Sequence, residues 1–224
     1  MQQPQAIDRR QAGVSVASSA ATAKVLKNTY LLLAMTLAFS AFTAMLARSL
    51  PPLNPWLFLI GAYGLMFLTH KLANSAWGLV SVFAFTGFFG FALGPILNAY
   101  LQSSAGTAIL TQALGGTAIA FAALSGYALV SRKDFSFLSG FIVIGFVVLM
   151  LGVVAGLFLN IPALSLALSA GFILFASAAI LYQTSAIIHG GERNYILATI
   201  GLYVSIYNIF ISLLNLLTAF GGDD

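Results

Sequence analysis

The sequence predicts an all-α, polytopic integral membrane bundle of seven transmembrane helices, with the amino terminus cytoplasmic and the carboxyl terminus extracytoplasmic. Three observations predict it. Of the 224 residues, 60% are apolar and 6% charged, with a mean hydropathy of +1.00, whereas an ordinary soluble chain is about 25% charged. Most of the surface therefore faces hydrocarbon, which excludes a soluble enzyme. The apolar residues fall in charge-free stretches close to the roughly 17–25 residues that cross a bilayer as a helix. The nine Lys and Arg sit at the ends of those stretches, where topology signals belong. For that reason the net charge of +4 and the pI near 9.5 do not point to nucleic acid. The absence of Cys removes disulfides, thiolate nucleophiles and cysteine metal sites together.

Residues 1–27 are polar and lack the apolar core of a secretory signal. Arg9-Arg10 likewise lack the hydrophobic segment that a twin-arginine signal would place before Lys24 and Lys27. Their Gln, Ala and Ser content predicts a flexible cytoplasmic tail, a handle for a cytoplasmic partner. The membrane domain covers 28–220, with spans at 29–47, 55–69, 76–99, 106–130, 137–159, 162–188 and 195–220. The second is short, so it is expected to begin earlier or to thin the bilayer locally. The breaks carry turn chemistry: a proline-rich 48–54, SRKDFS at 131–136, Asn-Ile-Pro at 160–162 and HGGERN at 189–194. Residues 221–224 form a short extracytoplasmic tail ending in Asp223 and Asp224. Long helices joined by short turns make an antiparallel bundle, and continuously apolar runs lack the alternation of a β-barrel. With the amino terminus inside, Arg9, Arg10, Lys24, Lys27, Lys71, Arg132, Lys133 and Arg193 are cytoplasmic and only Arg48 is outside, as the retention of cations on the cytoplasmic side requires.

No span contains Asp, Glu, His, Lys or Arg: Asp134 and Glu192 lie in loops, and His70 and His189 at span ends. An ionisable group inside the bilayer usually marks a proton or substrate path, so a proton-coupled transporter is disfavoured. The lack of an evident internal repeat points the same way. The last span carries instead a neutral stripe, Gly201, Ser205, Asn208, Ser212 and Asn215, spaced by four and three on one helical face. Two uses stay open. The stripe can make interhelical hydrogen bonds, each worth about 0.6 kcal/mol, or it can line a pore or cavity, faced by Gln183 and Thr184 on the preceding span. Tyr203 and Tyr207 form a separate pair four residues apart.

Gly90-x-x-x-Gly94 and Gly152-x-x-x-Gly156 permit close helix approach. Packing within the bundle is the first expected use and dimerisation the second. Pro95 is expected to kink the third span near its outer end. Zinc-protease, serine-elbow and phosphate-loop motifs are absent. Gly221-Gly222-Asp223 has no membrane-embedded second aspartate, and His189 with Glu192 offers only two ligands in a turn. The sequence predicts no catalytic, cofactor-binding or metal-binding residue.

The seven spans occur together with LGPILNAYL at 93–101, RKDFSFL at 132–138, HGGERNYI at 189–196 and LYVSIYNIF at 202–210. KVLKNTY at 24–30 and YGLMFLTHKLAN at 63–74 accompany them. With these the chain resembles the Bax inhibitor family of membrane proteins, and within it the bacterial inner-membrane branch that modulates the FtsH protease. The likeness extends from about Lys24 to Leu214. It implies a non-enzymatic, multi-pass inner-membrane protein that binds FtsH, an ATP-driven membrane protease, and restrains its degradation of membrane substrates. Other members of the family behave as pH-sensitive calcium leaks, which implies an aspartate pair in the last two spans. At the matching positions this chain has Gln183, in Tyr182-Gln183-Thr184-Ser185, and Ser205, in Leu202-Tyr203-Val204-Ser205. Gln and Ser do not titrate near neutral pH, so acid gating is not expected, although neutral oxygens can still coordinate a cation.

Overall fold

A computed structural model describes residues 4–159 and 161–221, with side chains described from Ala20 onward. Among the described residues the chain forms seven α-helices: α1 (Pro4–Ala47), α2 (Pro55–Leu72), α3 (Gly78–Leu101), α4 (Gly106–Ser131), α5 (Leu138–Phe158), α6 (Pro162–Ile188) and α7 (Tyr195–Gly221). Each span read from the sequence coincides with one of them. The largest difference is at the start, where α1 is helical from Pro4 and passes without a break through the segment expected as a tail. Six of the described helices are long and apolar enough to cross a membrane. The exception is α2, with 18 residues and His70 and Lys71 in its last turn. Asn160 of the fifth turn and Gly222 to Asp224 of the carboxyl-terminal tail lie outside the described residues.

The helix ends follow local chemistry. Asn54 caps α2 by accepting a hydrogen bond from Trp56 N at 2.9 Å, with Pro55 in the first turn, and Pro162 opens α6 in the same way. Proline fits there because its missing N–H has no intrahelical partner at that position. α4 stops at Arg132, whose left-handed φ of 49° turns the chain into the loop. α3 continues through Pro95 to Leu101.

Cross-helix hydrogen bonds fix which ends lie together. Thr199 Oγ1 donates to Thr29 O at 3.3 Å, and Asn194 Nδ2 donates to Ala73 O at 3.1 Å and to Asn74 Oδ1 at 2.8 Å. Ser185 Oγ accepts from Phe135 N at 3.0 Å and donates to Lys133 O at 3.2 Å. The start of the apolar part of α1 and the α2–α3, α4–α5 and α6–α7 turns therefore share one end of the bundle. Tyr100 with Thr218, at 2.8 Å, and Asn215 with Ser165, also at 2.8 Å, mark the opposite end.

α7 is the central helix, packed against α6, α4, α1 and α3. The main core joins Leu32 and Leu33 of α1, Val82 and Phe85 of α3, Ile180 of α6 and Ile200, Leu202, Tyr203 and Ile209 of α7. Tyr203 is 1% exposed, and its hydroxyl bonds to Ser40 Oγ at 2.6 Å and donates to Thr86 O at 3.2 Å, tying three helices together. By contrast α5 is peripheral: Leu149 is its one buried residue, while Val143, Ile144, Val147 and Val148 are exposed. Such a helix is stable only with hydrocarbon against it.

Candidate functional site

α1 and α3 meet through glycine. A Cβ built at Gly90 would collide with the Ser40 carbonyl oxygen of α1, and one at Gly94 would sit 2.5 Å from Ala44 O and 2.8 Å from Ala47 C. Backbone faces backbone here, with no space for a methyl group. The second glycine pair lies against a side chain instead: Gly152 faces Leu168 of α6, and Gly156 leaves an ordinary 3.9 Å to the same residue.

α2 packs along α3, and α5 along α6. Between these pairs and α7 lies a cavity of about 950 Å3. Every member of the α7 stripe lines it: Gly201, Ser205, Asn208, Ser212 and Asn215, joined by Gln183 of α6. A stripe of period close to 3.6 stays on one face over its whole length, and here that face is the polar wall of the cavity. The remaining walls are mostly apolar, with Phe58, Phe89, Phe146 and Phe172 among them.

The stripe does not behave uniformly. At one end Asn215 Nδ2 donates to Ser165 Oγ and Ser169 Oγ, both at 2.8 Å, which bonds α7 to α6. Ser205 Oγ donates within its own helix, to Gly201 O at 2.9 Å. Gln183 lies directly against Gly201, where a Cβ would collide with its carboxamide, and Gln183 Oε1 is buried without a hydrogen-bond partner. Gln183 and Ser205, the two positions expected to match the family's aspartates, thus both meet Gly201. Thr184, expected beside Gln183 as a facing partner, is 0% exposed and does not line the cavity; one residue step turns a helix by about 100° and points it elsewhere.

Sequence reasoning did not find the other contributors: Ser165 and Ser169 of α6, and Tyr63 and His70 of α2. Ser165 and Ser169 are four apart, a spacing that could have marked a second polar face. Tyr63 and His70 carried no such signal. At the α6–α7 turn, His189 Nδ1 bonds to Ser185 O at 2.9 Å, and Glu192 Oε1 accepts from Asn194 N at 2.7 Å. Both residues of the considered metal pair are thus engaged locally. No cluster of three metal-ligating side chains occurs among the described residues.

A bundle of apolar helices around a neutral-walled cavity defines a polytopic α-helical membrane protein. The family model described as "Inhibitor of apoptosis-promoting Bax1" matches residues 22–222, and the chain belongs to that Bax inhibitor family. A Pseudomonas aeruginosa protein is 59% identical over 94% of this chain and 96% of its own length. An Escherichia coli protein named "Modulator of FtsH protease YccA" is 57% identical over 88% of this chain and 90% of its own length. Its counterpart in a second Escherichia coli strain, equally similar, is named "Inner membrane protein YccA". With six helices long and apolar enough to cross a membrane among the described residues, this chain is an inner-membrane protein.

Proposed function

We propose that the protein is a non-enzymatic modulator of an FtsH-type membrane protease, binding it in the inner membrane and restraining its degradation of membrane substrates. The observation that supports this reading is the 57% identity, over nine-tenths of the relative's length, to the protein named as a modulator of that protease.

In this reading all seven helices cross the bilayer, the amino terminus is cytoplasmic and the carboxyl terminus extracytoplasmic. α2, with 18 residues, is about 27 Å long at 1.5 Å per residue, and a small local thinning accommodates it. Lys71, in the last turn of α2, and Arg132, Lys133 and Arg193, in the α4–α5 and α6–α7 turns, lie at the end where hydrogen bonds gather those turns with the α2–α3 turn, and Arg48 lies at the other. The retention of cations in the cytoplasm assigns the first end inside. Residues 1–27 then form the cytoplasmic tail, and 1–23 a handle that the protease engages as a poor substrate.

The test is degradation of a membrane protein by purified FtsH in proteoliposomes with ATP, with this protein absent, equimolar and in excess. Dose-dependent slowing that spares a soluble substrate is expected, and unchanged degradation with both proteins inserted refutes the reading. Removal of residues 1–23 is expected to weaken inhibition; equal binding and inhibition by the truncated protein would discard the handle. Gln183→Ala leaves inhibition unchanged, whereas it alters ion flux if the cavity is instead a leak path.

A further inference from the structure

We propose that the cavity between α2, α3, α5, α6 and α7 is a binding site for an uncharged lipid with a hydroxyl-bearing head, of the acylglycerol class, entering through the seam between α2 and α5. The volume of about 950 Å3 lies at the upper end of the roughly 300–1,000 Å3 of small-molecule sites, which combine mostly apolar walls with a few convergent polar groups. It is too wide to be a packing defect, since voids larger than a water molecule are few in a folded interior.

The walls state what fits. Phenylalanine rings and aliphatic side chains from α2, α3, α5 and α6 make up most of the wall and suit an acyl chain, since buried water needs two to four polar partners and apolar side chains supply none. Along α7 the chemistry changes. Asn208 of α7 and Gln183 of the adjoining α6 line the cavity with carboxamides, Ser205 and Ser212 line it with hydroxyls, and Gln183 Oε1, buried against Gly201, lacks any partner in the protein. Carboxamides and hydroxyls both donate and accept, which matches a head carrying hydroxyl and ester groups. The lining contains no Asp, Glu, Lys or Arg, and His70 stands at its rim as the single histidine. A phosphate or carboxylate head would therefore be desolvated without a counter-charge, a strongly unfavourable arrangement.

The entrance is the α2–α5 seam. It is bridged by side chains: Tyr63 Oη donates to Met150 Sδ at 2.6 Å, and Trp56 meets Phe158 with ring centroids 6.0 Å apart. Tyr63 is 43% exposed on the surface that faces lipid. Rotation of Tyr63 and the flexible Met150 opens a lateral path without moving a helix.

The experiment uses the full-length protein in phosphatidylcholine nanodiscs with a diazirine-bearing monoacylglycerol, the labelled peptides being identified by mass spectrometry. Saturable labelling of the cavity-facing parts of α6 and α7, competed by unlabelled monoacylglycerol, is expected. The diazirine fatty acid, ionised at alkaline pH, should label those peptides at least about tenfold less. Gln183→Leu and Asn208→Leu should each weaken competition about tenfold, the loss of one well-made buried hydrogen bond. Because the chain has no Cys, Tyr63→Cys/Met150→Cys can be bridged by a thiol cross-linker. Cross-linking should suppress labelling several-fold, and reduction should restore it, which excludes misfolding as the cause. Non-saturable labelling spread over exposed α5, equal labelling by the ionised fatty acid, or labelling unchanged in both Leu variants overturns the proposal.

Discussion

A single methyl group at Gly90 tests how α1 and α3 are held. Its carbon would collide with the Ser40 carbonyl oxygen and with Thr43 Oγ1, and would lie 2.7 Å from the Ser40 carbonyl carbon. Non-bonded carbons prefer about 3.5–4.0 Å, so relief requires the helices to part by about 1 Å. The Ser40 carbonyl cannot turn aside cheaply, because it belongs to the helical backbone and accepts from Thr43 Oγ1 at 2.9 Å. Overpacking of this kind costs about 1–3 kcal/mol. Parting the helices also stretches the 2.6 Å bond between Ser40 Oγ and Tyr203 Oη, worth about 0.6 kcal/mol as an interhelical bond in a membrane. Alanine's better helix propensity returns up to about 1 kcal/mol, leaving Gly90→Ala about 1–3 kcal/mol less stable than the parent. Gly156→Ala is the control, since its Cβ meets Leu168 at an ordinary 3.9 Å; it should match or slightly exceed the parent. Unfolding of both variants by dodecyl sulfate in mixed micelles, followed by far-UV circular dichroism, measures the difference. Gly90→Ala as stable as Gly156→Ala would refute the backbone contact between α1 and α3.

Three further outcomes are expected. Tyr203→Phe removes the bonds to Ser40 Oγ and Thr86 O and should cost about 1–2 kcal/mol in the same unfolding assay; a loss no greater than that of an exposed Tyr63→Phe would count against the three-helix tie. Gly201→Ala drives a methyl group into the Gln183 carboxamide and should destabilise by about 1–3 kcal/mol. Much of that loss should be recovered in Gly201→Ala/Gln183→Ala, and strictly additive effects would show that the two positions do not touch. Asp134, exposed in the α4–α5 loop, accepts from Ser136 N at 2.8 Å; that backbone bond first, then the Ser136 hydroxyl and the charge of His189, hold its carboxyl below the ordinary 3.8. A depressed folded value means stabilisation that is present above 3.8 and lost as pH falls through the lower folded value. Asp134→Asn should flatten the loss of thermal stability in that acid window, and parallel melting-temperature profiles for variant and parent would rule the contribution out.

The sequence by itself determined the elements and the placement of charge. Seven charge-free runs bounded by proline, glycine and cations become the seven described helices because a bilayer leaves a backbone no other way to satisfy its N–H and C=O groups except a closed barrel. The α7 stripe was legible for a similar reason: Gly201 to Asn215 recur at helical spacing, and neutral polar groups among apolar residues seek the interior. Tertiary structure decided everything that depends on which helix lies beside which. Gly90 and Gly94 announced a close approach, but a helix that is apolar on all sides does not encode its partner, and only the fold shows that partner to be the α1 backbone. Nor could the sequence tell bonding from lining within one stripe. Asn215 is satisfied because α6 brings Ser165 and Ser169 to it, whereas Asn208 lines the open volume because α2 and α5 each pack on one other helix and leave a seam between them. The cavity belongs to no single segment; it is the space those pairings leave, and space has no letter in the sequence.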